Sequence, residues 1–362
     1  MGKVRVLYVL NQASETSIPL EIADALPTES VDVKICSFYT PSDDSFGVDI
    51  HSLRAVSQID PRAYVRLLRL VHRFDPDVVH IHPNATGSVV RVLLAATDVT
   101  LVTTEHTSHE RFGHFKQLLN GTTNVLNDIV IANSRATLDS FTRYERVLLD
   151  VTKTDTAVIH NGVDVAAIDT AAESPDLPFD SSAFLIGTVG RLSRVKNQAT
   201  LLRAAAPLVS EFDDIALVFI GDGPLRSDLT ELASDLGIKD SVYFLGHVDR
   251  QSVYEVMTVI DIFVFPSHYE GFGVAAAEAM ASGVPVIVSD IPALREVVDD
   301  TGLYFDPMDV TTLSDTILLL YDDPAKRAKL AHAGEKRVRL EFSLESTAEK
   351  YATLYESFIS RN

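Results

Sequence analysis

The sequence predicts an α/β protein of two doubly wound domains facing a cleft, and three observations lead there. At 362 residues the chain is long for one domain and comfortable for two. Short apolar runs alternate with helix-period stretches throughout, as parallel sheets with crossover helices require. Between residues 166 and 183 that alternation gives way to a polar, proline-containing stretch without periodicity, which reads as a linker. The predicted domains are therefore 1–165 and 184–343, with a final helix at about 344–362 packing back on the first.

Taken in order, the first half offers strands at 4–10 (VRVLYVL), 31–38, 77–82 (DVVHIH), 100–106 (TLVTTEH), 128–134 and 156–162. The opening apolar run passes at once into the polar NQASETS, so it reads as a strand rather than a secretory segment, and a cytoplasmic protein is expected. No run approaches the ~20 apolar residues of a membrane span. The single cysteine, Cys36, excludes a disulfide framework. The second half offers strands at 184–192, 215–223, 241–248, 262–267, 285–290 and 302–306. Helical patterns such as NQATLLRAAAPLVSEF and PLRSDLTELASDLG lie between them, and residues from about 324 to 359 read as a long helical tail.

An apolar fraction of 46% suffices for real cores. The net charge of −20 comes from 33 Asp and 18 Glu against 21 Arg and only 10 Lys. An Asp-rich, Lys-poor surface keeps a protein hydrated where salt screens charge, so a halophilic protein is expected. The same charge argues against nucleic acid as a partner, since that depends on clustered Lys and Arg.

Four segments can carry chemistry. In HYEGFGVAAAEAMASGVPVIVSD (268–290), Gly271 and Gly273 place Glu270 on a loop, start a helix near 273 and set Glu278 in its second turn. A ligand at that helix N-terminus would meet both carboxylates, with backbone N–H groups favouring an anion between them. The alternative is a surface glutamate beside a capping loop. In GTVGRLSRVKNQ (187–198), Arg191 and Lys196 follow Gly190 at a strand-to-helix turn, a natural diphosphate clamp. Each hydrogen bond to a charged group is worth ~1.5–3 kcal/mol; solvated surface cations are the alternative. GDGP (221–224) signals a turn. His80, His82 and His106 end first-half strands, where open sheets bind ligands; His80 is expected to pack, and His106 stands open between packing and function. Asp75-Pro76-Asp77 precedes a strand and reads as a turn rather than a metal site.

The order DVVHIH, TTEH, ANSRATL, IHNGVD, VGRLSRVKN, LVFIGDGP, VYFLGHV, FPSHYEGFGVAAAEAMASGVPVIVSD, TGLYFDPMD resembles the retaining GT-B glycosyltransferases of the family-4 type, the glycosyl transferases group 1. The Glu–seven residues–Glu element is its most specific part, and the resemblance spans nearly the whole chain. It implies two Rossmann-like domains, the second holding a nucleotide-diphosphate sugar. By motif, Arg191 and Lys196 take the diphosphate, Glu278 the ribose hydroxyls and Glu270 the sugar hydroxyls. Gly190 and the amides of Phe272, Gly273 and Val274 lie near phosphate and sugar, and His106 stands beside the sugar. The implied reaction is retaining hexosyl transfer to a hydroxyl acceptor without metal or cofactor. The departing diphosphate oxygen helps accept the acceptor's proton.

One departure is that the loop after the first strand lacks the family's glycines; Asn11, Ser14 and Thr16 are its available donors. On the acceptor side, Arg62, Arg66, Arg69 and Arg73 in PRAYVRLLRLVHRF recur at steps of four, three and four and share one helical face. With Arg111 and Lys116, they point to an anionic membrane surface at the inner membrane face and to a lipid-linked or membrane-proximal acceptor; an ordinary solvated helix face is the alternative. Two other readings compete with transfer. A nucleotide-sugar epimerase is disfavoured by the complete EGFGVAAAEAM element. A non-catalytic nucleotide-sugar-binding protein is disfavoured by the joint presence of Arg191, Lys196, Glu270 and Glu278.

Overall fold

The structure is a computed structural model, describing residues 2–13, 17–41, 50–82, 85–109, 112–171 and 183–359. The chain divides into two compact units, Met1–Gly162 with Leu344–Asn362, and Val163–Ser343.

The first unit runs β1 (Val4–Leu10), α1 (Ile18–Ala25), β2 (Val31–Ser37), β3 (Ile50–Ser52), α2 (Pro61–Phe74), β4 (Val78–Ile81), α3 (Ala85–Leu94) and β5 (Thr100–Glu105). It continues through α4 (His114–Asn124), β6 (Ile129–Ala132), α5 (Arg135–Asp139), α6 (Arg143–Thr152) and β7 (Asp155–Val158). The strands form one parallel sheet in the order β3-β2-β1-β4-β5-β6-β7. Alternate side chains of β1 serve opposite layers: Val6 and Tyr8 pack with α1 and the C-terminal helix (Leu344–Ile359), Leu7 and Val9 with α2 and α3. Asp60 caps α2 by accepting from the Arg62 N–H, and Asp75 ends it in the left-handed region at φ 49°. The Asp77 carboxylate accepts the Arg5 N–H at 2.8 Å, so Asp75-Pro76-Asp77 is a structural turn, as expected. The three-residue edge strand β3 was not foreseen; it is too short to show an alternating pattern.

The second unit runs α7 (Val165–Asp169), β8 (Phe184–Val189), α8 (Gln198–Glu211), β9 (Ile215–Ile220), α9 (Arg226–Asp235), β10 (Val242–Gly246) and α10 (Arg250–Met257). After these come β11 (Ile262–Phe265), α11 (Val274–Ala281), β12 (Val286–Ser289), α12 (Pro292–Val298), β13 (Leu303–Phe305), α13 (Val310–Asp322) and α14 (Pro324–Glu341). Its parallel sheet has the order β10-β9-β8-β11-β12-β13, the same winding as the first six strands of the other unit.

One expectation needs correction. The stretch assigned to a linker, 166–183, opens within α7, whose N-terminus Asp164 caps by accepting from the Ala167 N–H at 2.9 Å. Val165 and Ile168, three apart, bury into the second unit's core. The rest of that stretch, 172–182, lies outside the described residues. The helical tail consists of α14, which belongs to the second unit, and the C-terminal helix from Leu344, which belongs to the first. Among the described residues, no helix is long and apolar enough to cross a membrane.

Candidate functional site

In a doubly wound sheet, ligands bind beyond the carboxyl ends of the strands, where the strand order reverses. In the second unit that point lies between β8 and β11. Gly190 follows β8 at φ 143°, and its carbonyl is so close to Gly221 that a Cβ there would meet it at 2.4 Å. The Gly190 N–H donates to the Ile220 carbonyl at 2.9 Å and the Leu192 N–H to that of Asp222 at 3.0 Å. GDGP is thus more than a turn: it is the seat on which the Arg191–Lys196 loop lies.

From this loop Lys196 Nζ donates to Glu270 Oε1 at 2.7 Å, with its ammonium 4.5 Å from the Phe265 ring centroid. The His268 N–H donates to the Val195 carbonyl at 2.8 Å, tying together the two loops that carry the pair. Both side chains keep contact with solvent, 24% for Lys196 and 13% for Glu270. The Arg191 side chain is exposed and its guanidinium has no partner among the described residues.

Gly273, at φ 102°, caps α11, which begins at Val274. A Cβ at 273 would meet Leu294 Cδ2 at 2.5 Å, so the position suits glycine on both conformational and steric grounds. Glu278 stands in the second turn and is buried, which rules out the surface-glutamate alternative. Its Oε1 accepts from the Tyr254 hydroxyl at 3.3 Å and pairs with the Arg250 guanidinium, whose Nε donates to the Tyr254 oxygen at 2.6 Å. Burial raises the Glu278 carboxyl above its ordinary value, and the Arg250 charge opposes that. The Phe272 side chain turns into the core, edge-on to Phe342 at 5.3 Å and 81°, while Val274 is half-buried. The second unit therefore gathers Gly190, Arg191, Lys196, Glu270, Phe272, Gly273, Val274 and Glu278 on the loops and helix start at one end of its sheet.

In the first unit the strand order reverses between β1 and β4. His80 is fully buried, with Nδ1 2.6 Å from the Tyr355 hydroxyl and Nε2 2.7 Å from the Thr104 hydroxyl. It packs, as expected. His106, just beyond β5, is partly exposed, and its Nε2 lies 3.0 Å from Nδ1 of His82. Burial lowers the His106 pKa to about 4 and holds His82 well below the ordinary histidine value, so both are neutral near pH 7. Next to them is a buried ionic network. His109 Nδ1 is 2.9 Å from Glu145 Oε1, and Nε2 faces Glu105 Oε2 at 3.4 Å. Asn120 Nδ2 donates to Glu105 Oε1 at 2.7 Å, and Asn120 Oδ1 accepts from buried Arg91 at 2.6 Å. The two carboxylates overcome the cost of burial and raise His109 to about 9; the same contacts hold Glu105 at about 2. Among the described residues, no group of three or more His, Cys, Asp or Glu is placed to hold a metal ion.

On α2, Arg62, Arg69 and Arg73 are exposed. Arg66 is not a fourth free cation: its guanidinium donates to the carbonyls of Leu53 and Arg54 and ties the preceding loop to the helix. Val65 and Leu68 are exposed between the arginines, and Val56 and Ile59 stand out just before the helix. Arg62, Val65, Arg66 and Arg69 line a surface depression of about 370 Å³. Lys116 lies over the Phe112 ring, 3.8 Å from its centroid. Arg111, Ser14 and Thr16 lie outside the described residues.

Sequence reasoning gave no role to Arg250, Tyr254, His109 or Glu145. Arg250 and Tyr254 sit four apart on α10 behind an Asp249 cap, an available signal for one helix face but none for its partner.

Comparison with known proteins agrees over both units. The family profile of glycosyl transferases group 1 matches residues 169–337, and that of glycosyltransferase family 4 matches 19–167. The chain is 30% identical over 316 residues to a D-inositol 3-phosphate glycosyltransferase of Corynebacterium urealyticum, covering 79% of this chain and 72% of that one. It is 29% identical over 343 residues to a glycogen synthase of Mycobacterium tuberculosis, covering 91% and 80%. Among solved structures it is similar to a sucrose-phosphate synthase from Thermosynechococcus elongatus, with TM-score 0.81 at 20% identity over 99% of this chain and 100% of that one. The Anabaena HepE protein, solved in complex with UDP, also gives 0.81 at 20% identity, over 98% and 100%.

Proposed function

The chain belongs to the group 1 glycosyltransferases of GT-B fold and uses a nucleotide sugar, and on that premise we propose that it transfers a hexose with retention, without a metal ion, to a hydroxyl acceptor at an anionic membrane surface. The observation that carries this reading is the Lys196–Glu270 pair beyond β8 and β11. An ammonium and a carboxylate 2.7 Å apart suit the two ends of a sugar–diphosphate linkage. The ammonium takes the phosphate oxygens, and the carboxylate accepts from a sugar hydroxyl.

In this reading the bond from the sugar's anomeric carbon to the diphosphate oxygen breaks, and the acceptor oxygen bonds to the same face of that carbon. The acceptor's proton passes to the departing diphosphate. Lys196 and Arg191 stabilise the charge that develops on that diphosphate, an electrostatic contribution realised most fully in the transition state. Glu278, held by Arg250 and Tyr254, accepts from the ribose hydroxyls, and His106 serves the sugar. The amides of Phe272, Gly273 and Val274 lie at the helix start, where the dipole favours phosphate.

The membrane reading rests on the α2 surface, where Arg62, Arg69 and Arg73 interleave with exposed Val65 and Leu68, a pattern suited to anionic headgroups. A lipid-linked acceptor follows from that placement, with Lys116 on the same unit. The Asp-rich composition fits work in high salt; a melting temperature that rises with KCl supports this, and one that falls opposes it.

Nuclear magnetic resonance of the product tests the reaction: an α-linked donor is expected to give an α-glycoside. A β-glycoside from the same donor overturns retention.

A further inference from the structure

The first unit holds a buried nitrogen without a hydrogen-bond partner among the described residues. His82 follows β4 directly, its N–H donating to the Val9 carbonyl at 3.0 Å, and its ring is wedged against His80 (4.2 Å between centroids) and Tyr8 (5.0 Å). Nδ1 of His82 meets Nε2 of His106 at 3.0 Å, the two rings being inclined by 26°. Nε2 of His82 is buried and has no hydrogen-bond partner among the described residues. His80 cannot supply one, because its two nitrogens are committed to Tyr355 and Thr104.

Each neutral imidazole carries one proton, so the His82–His106 bond has two arrangements. If His106 donates, the proton of His82 sits on Nε2 as a buried N–H with no acceptor among the described residues. If His82 donates from Nδ1, the buried Nε2 is a bare acceptor, and the proton of His106 sits on Nδ1. Orphaned buried N–H groups are rarer than under-satisfied acceptors, and an unmade donor bears the full cost of its desolvation. The second arrangement is favoured.

We infer that His82 is a positioning residue for His106: through the Nδ1···Nε2 hydrogen bond it fixes His106 in the tautomer that presents Nδ1–H as a donor. This rests on the reading of His106 as a residue that meets the sugar, and it deepens that reading. A His106 locked in this way donates to a hydroxyl oxygen and does not serve as a general base. Nδ1 of His106 has no partner among the described residues, so that donor is available. The nearest carboxylate in sequence, Glu105, is committed to His109 and Asn120 rather than to His106.

Nitrogen-15 spectra of the histidine side chains in the full chain, wild type, His82→Asn and His82→Gln, test this. The asparagine amide lies where Nδ1 stands and can donate in its place; the glutamine amide lies one carbon farther out. The expected result is the Nδ1–H tautomer of His106 in the wild type and in His82→Asn, and the Nε2–H tautomer in His82→Gln. In transfer assays kcat should fall about tenfold in His82→Gln and recover to within about threefold in His82→Asn, with donor KM nearly unmoved. An Nε2–H tautomer of His106 in the wild type, or the same tautomer in both variants, overturns the inference. A tautomer that switches while kcat stays fixed upholds the coupling and overturns the catalytic reading of His106 instead.

Discussion

The two units wind their strands in the same order, yet they use the carboxyl ends of those strands differently. In the first unit the polar groups close on one another: His80 with Tyr355 and Thr104, and His109 with Glu105 and Glu145, all buried. In the second, the Lys196–Glu270 pair stands partly in solvent, with an exposed Arg191 on the loop that carries Lys196. Net charge divides in a related way. Residues 1–162 with 344–362 hold 17 Lys and Arg against 22 Asp and Glu; residues 163–343 hold 14 against 29. One topology therefore supports a closed polar core in one unit and an open ion pair in the other, and chemistry follows the residues rather than the winding.

The largest effect that sharpens this contrast is expected in the closed network. His109→Ala leaves two buried carboxylates without their cation and should cost about 3–5 kcal/mol of stability, read by denaturant titration. Donor affinity should be unchanged wherever the variant remains folded. The pH dependence has a definite sign. The His109 pKa rises on folding from 6.5 to about 9, so its contribution is complete below 6.5 and is lost as pH climbs through 9. The Glu105 pKa falls from 4.5 to about 2, so its contribution is complete above 4.5 and fades as pH drops toward 2. In His109→Ala the alkaline loss should disappear; an unchanged alkaline limb would break the assignment.

Next in size is the open pair. Lys196→Ala should lower kcat by about 10²–10³-fold while stability stays within about 0.5 kcal/mol of the wild type. A large loss of stability with normal kcat would make the pair structural, like the network in the other unit. Changing Arg62, Arg69 and Arg73 to Glu should weaken sedimentation with anionic vesicles by about 100-fold, at ~1 kcal/mol per residue. Equal pelleting on neutral and anionic lipid, or no response to the substitutions, would return α2 to an ordinary solvated helix. Smallest is Arg250→Met, which leaves Glu278 buried without its cation. Donor affinity should fall about tenfold near neutral pH and recover as pH rises and Glu278 ionises; a loss that is independent of pH would contradict the ionised role of Glu278.

What the sequence revealed divides along the same line. The two segments of the open site were legible because each is local: Gly190 to Lys196 is one loop, and Glu270 to Glu278 one loop and helix start; that Lys196 and Glu270, 74 residues apart, meet was not. Apolar runs marked the longer strands, and Asp75-Pro76-Asp77 was readable as a turn from its proline and its place before a strand. The closed parts were not legible because tertiary pairing creates them. Arg250 lies 28 residues from Glu278, and His82 lies 24 from His106; each meets its partner only once strands or helices are set side by side. Arg66 matched the basic stripe by spacing, yet its guanidinium turns to backbone carbonyls that no helical pattern shows.

Titration calorimetry of the intact chain against UDP-, GDP- and ADP-sugars tests the central claim most directly, namely that the open ion pair of the second unit holds the donor. For whichever donor binds, Lys196→Ala should weaken Kd by about 10- to 150-fold, as expected for losing one charge-assisted hydrogen bond, and the triple Arg→Glu variant of α2 should leave it unchanged. Equal affinity in wild type and Lys196→Ala, or a loss confined to the α2 variant, would contradict the account.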